Sequence, residues 1–556
     1  MNHFLTKYYR LIFYACWLLL AMVQSFATEL IDDEAYYWAY SKFLAWGYFD
    51  HPPMIALLIK CGYALFQNEL GVRLFPIILN LATLVLIESL IERKNFTLFV
   101  LIAVGVGFLQ TAGILAVPDT PLLFFSALYF YCYKKFVANT SWQTTFRLGF
   151  VTALLFYSKY HGILIVVFTI LSNLKLLRYK YIWFSFFCAL LIYSPHLFWQ
   201  WENNWLSFRY HLFESNVNAY KISYTTDYIL GQLLLAGPLM GFVLLPFSFL
   251  YNPKTALERA LKFSMVGFYL FFLLSSFRGR VETNWTLPVL ISLIVLSHQF
   301  IVDRVRFVKA IKILAVTSLI IIAFVRIYLI VDIGFDNLIK KRFHHNKSWA
   351  KAIASKTGDI PVVFKNSYQR ASLFWFYSGK PSHSLNSYKE RRNNYNLWPI
   401  ENKLLGQPVF IADIYEIQFY PDSIKTKKGS VGIQFDSSFS SFEKVKITLR
   451  EKKLELNKFD SLNLNYHISV PEFLRTFVLN RPEIKTELLI GIFKGRDLVQ
   501  EFKTNISLPN LLLNHPTISL PINNLPAGKY FIRFSIQSKN YPPTHNSEKT
   551  ELIIRD

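Results

Sequence analysis

The sequence predicts a polytopic α-helical membrane protein that ends in a polar, strand-rich part. Three observations carry this. The 556 residues are 53% hydrophobic and 17% aromatic, with a mean hydropathy of +0.29, too apolar for one soluble fold. The apolar residues fall in long blocks, most of them near the ~20 residues that a bilayer crossing requires. Lys and Arg collect on alternate loops, as cytoplasmic loops do. The net charge of +23 has the same explanation, with anionic headgroups as the counter-charge, and argues against a nucleic-acid partner. All four cysteines, Cys16, Cys61, Cys132 and Cys188, lie in the apolar part at no metal-ligand spacing, so neither a disulfide nor a Cys-ligated zinc is needed.

The windows run in order. Lys7, Arg10, an apolar run and Ser25-Phe26-Ala27 resemble a cleavable signal peptide, but Asp33 just beyond needs a wall, so 11–28 reads as a retained first span. Further spans are expected at about 71–91, 97–116 and 121–137. Two short apolar pieces in 146–177 read as a hairpin around Ser158-Lys159-Tyr160-His161-Gly162, with one long helix as the alternative. Spans at about 181–199, 228–250, 263–277, 285–302 and 311–331 complete about eleven. The first outer loop, 29–70, is expected to hold an amphipathic interfacial helix with Asp32 as its N-cap, a break at Pro52-Pro53 and a second short apolar helix from Met54 to Phe66. Three domains follow: 1–333 in the membrane; 334–428, a small extracytoplasmic α/β unit around PVVF and VFIADI; and 429–556, whose closely spaced strands suggest an extracytoplasmic immunoglobulin-like β-sandwich.

The acids beside the spans carry the functional reading. Asp33, Asp50, Asp119 and Glu282 all fall on the predicted outer face, each within a few residues of a span end. Asp33 and Glu34 could simply charge a first helical turn; their clustering with the other acids points instead to a working cavity. Asp50-His51-Pro52-Pro53 is either a chain break or a rigid corner presenting a carboxylate and an imidazole, and Asp50 and His51 are the candidate ligands should a divalent metal be used. Lys159 with His161, and Arg278 and Arg280 flanking Glu282 and Asn284, place cations on the outer face against the positive-inside bias. A polyprenyl-phosphate sugar requires both kinds of group: cations for the phosphate, and a carboxylate to take the acceptor proton.

DDEAYYWAY, GYFDHPPMIALLI, VPDTPLLFF, FYSKYHG and RVETNWTLP resemble the bacterial glycosyltransferase family 39/83 type, protein O-mannosyltransferase-like and aminoarabinose transferase-like enzymes of GT-C fold, over about residues 10–330. That resemblance implies a polyprenyl-phosphate sugar donor and inversion at the anomeric carbon. It matches Asp33 to the catalytic acid, with Glu34 beside it, Asp119 to the second loop acid, and Asp50 and His51 to an acid–Lys-Pro-Pro corner in which His replaces Lys. The expectation is therefore a multi-pass glycosyltransferase of the cytoplasmic membrane. Its catalytic residues are Asp33, Glu34 and Asp119, and its substrate-binding residues are Asp50, His51, Lys159, His161, Arg278, Arg280, Glu282 and Asn284. Its partners are the bilayer, the lipid donor and a lipid, glycan or protein acceptor. The alternatives are a lipid-linked-sugar flippase, which predicts inverted repeats and mid-span charges, and a membrane-anchored binding protein acting through its C-terminal strands.

Overall fold

The structure, a computed structural model, describes residues 2–214, 220–334, 342–457, 460–522 and 525–555. The chain divides into two compact units, Met1–His344 and His345–Asp556.

The first unit is helical: α1 (Asn2–Ala27), α2 (Asp32–Lys42), α3 (Met54–Leu65), α4 (Glu69–Leu90), α5 (Phe96–Gly105), α6 (Gly107–Thr111), α7 (Asp119–Ala138), α8 (Trp142–Ser158), α9 (Gly162–Ser172), α10 (Lys180–Glu202), α11 (Leu206–Arg209), α12 (Ile222–Leu235), α13 (Gly241–Leu250), α14 (Ala256–Ser276), α15 (Val289–Ile301) and α16 (Val305–Ile330). Polar side chains fix several starts. Asn68 accepts from the Gly71 amide at 3.1 Å, Asn95 from Leu98 at 3.0 Å and Thr255 from Glu258 at 3.2 Å, each cap worth about 1 kcal/mol.

Every expected span falls on a helix or a broken helix pair. Four among the described residues are long and apolar enough to cross a membrane: Tyr8–Ala27, Glu69–Leu90, Lys180–Glu202 and Arg306–Ile330. The third expected span bends by 77° between α5 and α6, and with that pair the number is five. The eighth is interrupted between α12 and α13, where Gly237 takes φ +108° against the Gly105 carbonyl. The expected hairpin is present: α8 stops at Ser158 and α9 restarts at Gly162. The chain is a multi-pass membrane protein.

Two local expectations are corrected. Asp32 is not the N-cap of α2; Ile31 is, and its amide donates to the Glu34 carboxylate at 3.2 Å. Nor is α2 amphipathic with a broad open side. Seven of its eleven residues, Glu34, Ala35, Tyr36, Trp38, Ala39, Tyr40 and Ser41, are buried, because its tyrosines and Trp38 pack inward.

In the second unit, α17 (Asn346–Thr357), β1 (Val362–Lys365), α18 (Tyr368–Ser378), β2 (Ser382–Leu385), β3 (Val409–Asp413), β4 (Asp422–Ile424) and β5 (Val431–Asp436) build a sheet of order β2-β1-β3-β5-β4. β1 pairs in parallel with β2 and β3, which needs the α18 crossover, and β5 runs antiparallel to β3 and β4. Strands and helices mix here, and β5, which completes the sheet, lies beyond the expected boundary at 428/429. Next come β6 (Lys446–Leu449), β7 (Lys453–Asn457), β8 (Ser461–Leu464), β9 (Tyr466–Ser469), β10 (Thr486–Lys494), β11 (Asp497–Lys503), β12 (Ile518–Pro521), β13 (Gly528–Ser538) and β14 (Thr550–Arg555). One five-stranded sheet, β11-β10-β13-β14-β7, shares its core with two short ladders, β8–β12 and β6–β9, and with Leu474, Val478, Leu508 and Leu511 from two helices. Those helices, and the parallel β7–β14 pair, distinguish it from an all-antiparallel immunoglobulin sandwich.

Candidate active site

The fold gathers most of the expected residues at one end of the helical unit. Asp119 opens α7, where the helix dipole favours an acid. Lys159 closes α8: the break frees its backbone from helical geometry and lets the side chain turn toward α7. Lys159 Nζ donates to Asp119 Oδ1 at 2.7 Å, and Asn284 Nδ2 donates to Asp119 Oδ2 at 2.9 Å. The side chains of the ion pair are 6% exposed on each side. A buried carboxylate and ammonium are costly apart and tolerable together. His161 lies against Phe272 and Trp285, with ring centroids at 5.1 and 5.4 Å, which sets it beside the segment carrying Asn284.

A second group forms around the corner at Asp50. Tyr36 and Tyr40, one turn apart on α2, both donate to Asp50 Oδ2 at 3.2 Å. Burial, with Tyr36 and the Asp50 carboxylate beside it, pushes the Tyr40 phenol well above its ordinary range, which keeps it a donor. The His51 ring sits 5.7 Å from Tyr37 and stacks at 6.5 Å on His211, whose Nε2 is 2.9 Å from the Asp50 carbonyl. Tyr160 joins the two groups: it follows Lys159 in sequence and meets the His211 ring at 5.5 Å. Gln200 donates to the Tyr160 hydroxyl and to Ser207, both at 2.9 Å, and His196 Nδ1 lies 2.7 Å from the Trp46 carbonyl, so the end of α10 fixes this seam.

Asp33 and Glu34, adjacent in α2, part company. Glu34 is fully buried, and its oxygens accept from Arg73 Nε at 2.7 Å, Arg73 Nη2 at 2.5 Å, the Ile31 amide and the Ala116 amide at 2.9 Å. Arg73 also donates to the Ser25, Thr28 and Glu29 carbonyls. A carboxylate so committed fastens α1, α2, α4 and the turn before α7. The Ala116 contact also brings the first turn of α2 to the turn that presents Asp119. Asp33, a third exposed, is paired with Arg342 at 2.9 Å.

Arg278, Arg280 and Glu282 are not drawn in. All three are exposed, and Arg280 pairs with Glu282 at 3.2 Å. Among the described residues no group of three or more His, Cys, Asp and Glu side chains is placed to hold a metal ion. The sequence reading missed Arg73, Tyr36, Tyr40, Tyr160, His196, Gln200 and His211. Arg73 alone carried a signal, as a charge inside an apolar helix beside the acidic loop.

The helices break at one end of the unit, where acids and a lysine collect, and the fold is the GT-C fold. Residues 50–199 match the family model described as dolichyl-phosphate-mannose-protein mannosyltransferase. Among solved structures, ArnT from Cupriavidus metallidurans bound to undecaprenyl phosphate aligns at TM-score 0.56 and 14% identity, over 76% of this chain and 97% of that one. Its apo form aligns at TM-score 0.56 and 13% identity, over 77% and 98%. The archaeal oligosaccharyltransferase AglB from Archaeoglobus fulgidus aligns over 99% of each chain at TM-score 0.42 and 10% identity; the fold rests on the first two. No curated protein matches the chain.

Proposed function

We propose that the chain is a membrane glycosyltransferase that moves a sugar from a polyprenyl phosphate to an acceptor at the outer face of the cytoplasmic membrane, with inversion. The observation that carries it is the buried Lys159–Asp119–Asn284 cluster. It lies at the membrane-helix ends, is joined through Tyr160 and His211 to the Asp50 corner, and is set in a fold shared with the ArnT structure bound to undecaprenyl phosphate.

Asp33 is the base, because Glu34 and Asp119 have both oxygens committed and Asp50 is held by two phenols, while Asp33 stands at a partly open helix start. It takes the proton of the acceptor hydroxyl as that oxygen attacks the anomeric carbon from the face opposite the phosphate. The bond from the anomeric carbon to the phosphate oxygen breaks, and the polyprenyl phosphate leaves with the electron pair. Lys159 meets the leaving phosphate; an ammonium has three donors and only one points at Asp119. Asp119 and Asp50 shape the sugar site, and Arg278 and Arg280, exposed on the neighbouring loop, attract the charged headgroup. The C-terminal unit lies on the extracytoplasmic side.

Native mass spectrometry of the purified chain with undecaprenyl phosphate tests this. The wild type retains the lipid, and Lys159→Gln weakens retention at least tenfold. Equal retention by both would remove Lys159 from the phosphate site.

A further inference from the structure

Asp33 is met by a cation from the far end of the helical unit. Arg342 Nη2 lies 2.9 Å from Asp33 Oδ2, 309 residues away in sequence. Arg342 is not placed by this pair alone. Two residues on, His344 is buried and sets its ring edge-on to Tyr328 of α16, with centroids 5.1 Å apart and planes at 89°. That end of α16 is itself fastened: Arg326 Nη2 donates to the Gln110 carbonyl at 2.8 Å, and Gln24 Nε2 donates to the Arg326 carbonyl at 3.3 Å. His344 thus packs on the end of the last long apolar helix, and Arg342 delivers a guanidinium to the first turn of α2.

The neighbours of Asp33 on α2 are the acids Asp32 and Glu34, and the charge of Glu34 is matched by Arg73. Asp32 disfavours a second ionised carboxyl beside it; Arg342, directed at Asp33, favours one.

We propose that Arg342 is the positioning residue of Asp33: it holds the carboxylate ionised and oriented for the acceptor proton. This rests on the reading of Asp33 as the base. The pair is half-exposed, 49% on the arginine and 33% on the aspartate, so it orients the carboxylate without sealing it from an incoming hydroxyl.

The test needs no sugar donor. The full-length chain in nanodiscs is treated with a water-soluble carbodiimide and glycinamide from pH 3 to 7, and labelling of Asp33 is read by peptide mass spectrometry. Labelling requires the protonated carboxyl, so its midpoint reports the ionisation of Asp33. Arg342→Gln moves the midpoint up by about half a pH unit and Arg342→Lys restores it, as expected for one half-exposed charge. Labelling of Asp422, an exposed acid in the second unit, serves as the internal standard and stays put. Equal midpoints in wild type and Arg342→Gln would overturn the proposal. So would a shift that Lys does not reverse, or one that Asp422 shares. Failure of the glycosyltransferase reading is a separate result, seen in the glycan profile of an Asp33→Asn strain and not in this labelling.

Discussion

Glu34→Gln separates scaffold from chemistry at two adjacent residues. The Glu34–Arg73 pair is fully buried on both sides, and four donors converge on its two oxygens. Glutamine keeps the shape but loses the charge, and turns an NH2 group toward either the guanidinium or a backbone amide. Arg73 keeps its three carbonyl partners but loses its counter-charge. Leaving one member of a buried pair uncompensated costs about 3–5 kcal/mol. On the scale of large globular domains, where 1 kcal/mol moves Tm by roughly 2 °C, that is a fall of roughly 6–10 °C. The assay is a thermal melt of the full-length chain in detergent, run beside Asp33→Asn. Asp33 is half-open and paired with a half-exposed arginine, so its substitution moves Tm by no more than about 2 °C. A Glu34→Gln variant as stable as wild type would refute the reading of Glu34 as a fastener and return it to the list of candidate bases.

Three further outcomes follow from the same geometry. Asp119→Asn and Lys159→Met each strand a buried charge and each lower the melting temperature; the double variant recovers part of the stability and none of the transfer, read by melting and by glycan analysis. Tyr40→Phe removes one of two phenol donors to Asp50, costs about 1.5–3 kcal/mol in a melt, and leaves Tyr36 to hold the carboxylate. In the second unit, burial beside the Glu443 carboxylate raises the Glu401 carboxyl to about 7. The folded state then holds a proton that the unfolded chain releases above about 4.5, so stability falls as pH rises from about 4.5 to 7, by about 3 kcal/mol at full extent. Melts at pH 5 and pH 8 show the loss, and Glu401→Gln abolishes it.

The sequence made much of this legible and left a definable remainder. Apolar windows and alternating basic turns located every helix that an expected span called for, including the break at Lys159, because length and hydropathy are local properties. Asp119 and Lys159 were legible singly, as charges at span ends; their pairing was not, since it depends on α7 and α8 meeting with the break turned inward. The partner of Glu34 lies 39 residues away, and His211 lies 161 residues from the Asp50 carbonyl that it meets. No pattern within a helix or loop encodes such distances. Arg278 and Arg280 show the other side of this: the loop that carries Asn284 to Asp119 leaves both arginines exposed to solvent, and nothing in the local sequence separates the two outcomes. The boundary at 428/429 failed because β5 pairs back to β3 across an intervening strand.

The central claim is that Asp33 does chemistry at a sugar-transfer site. Mass spectrometry of envelope glycolipids and glycoproteins tests it most directly, comparing cells lacking the chain, cells carrying the wild type and cells carrying a stably expressed Asp33→Asn variant. The account predicts that the Asn cells lack the same glycan as the deletion. A wild-type profile in the Asn cells would contradict it and leave Asp33 a charged residue at a helix start.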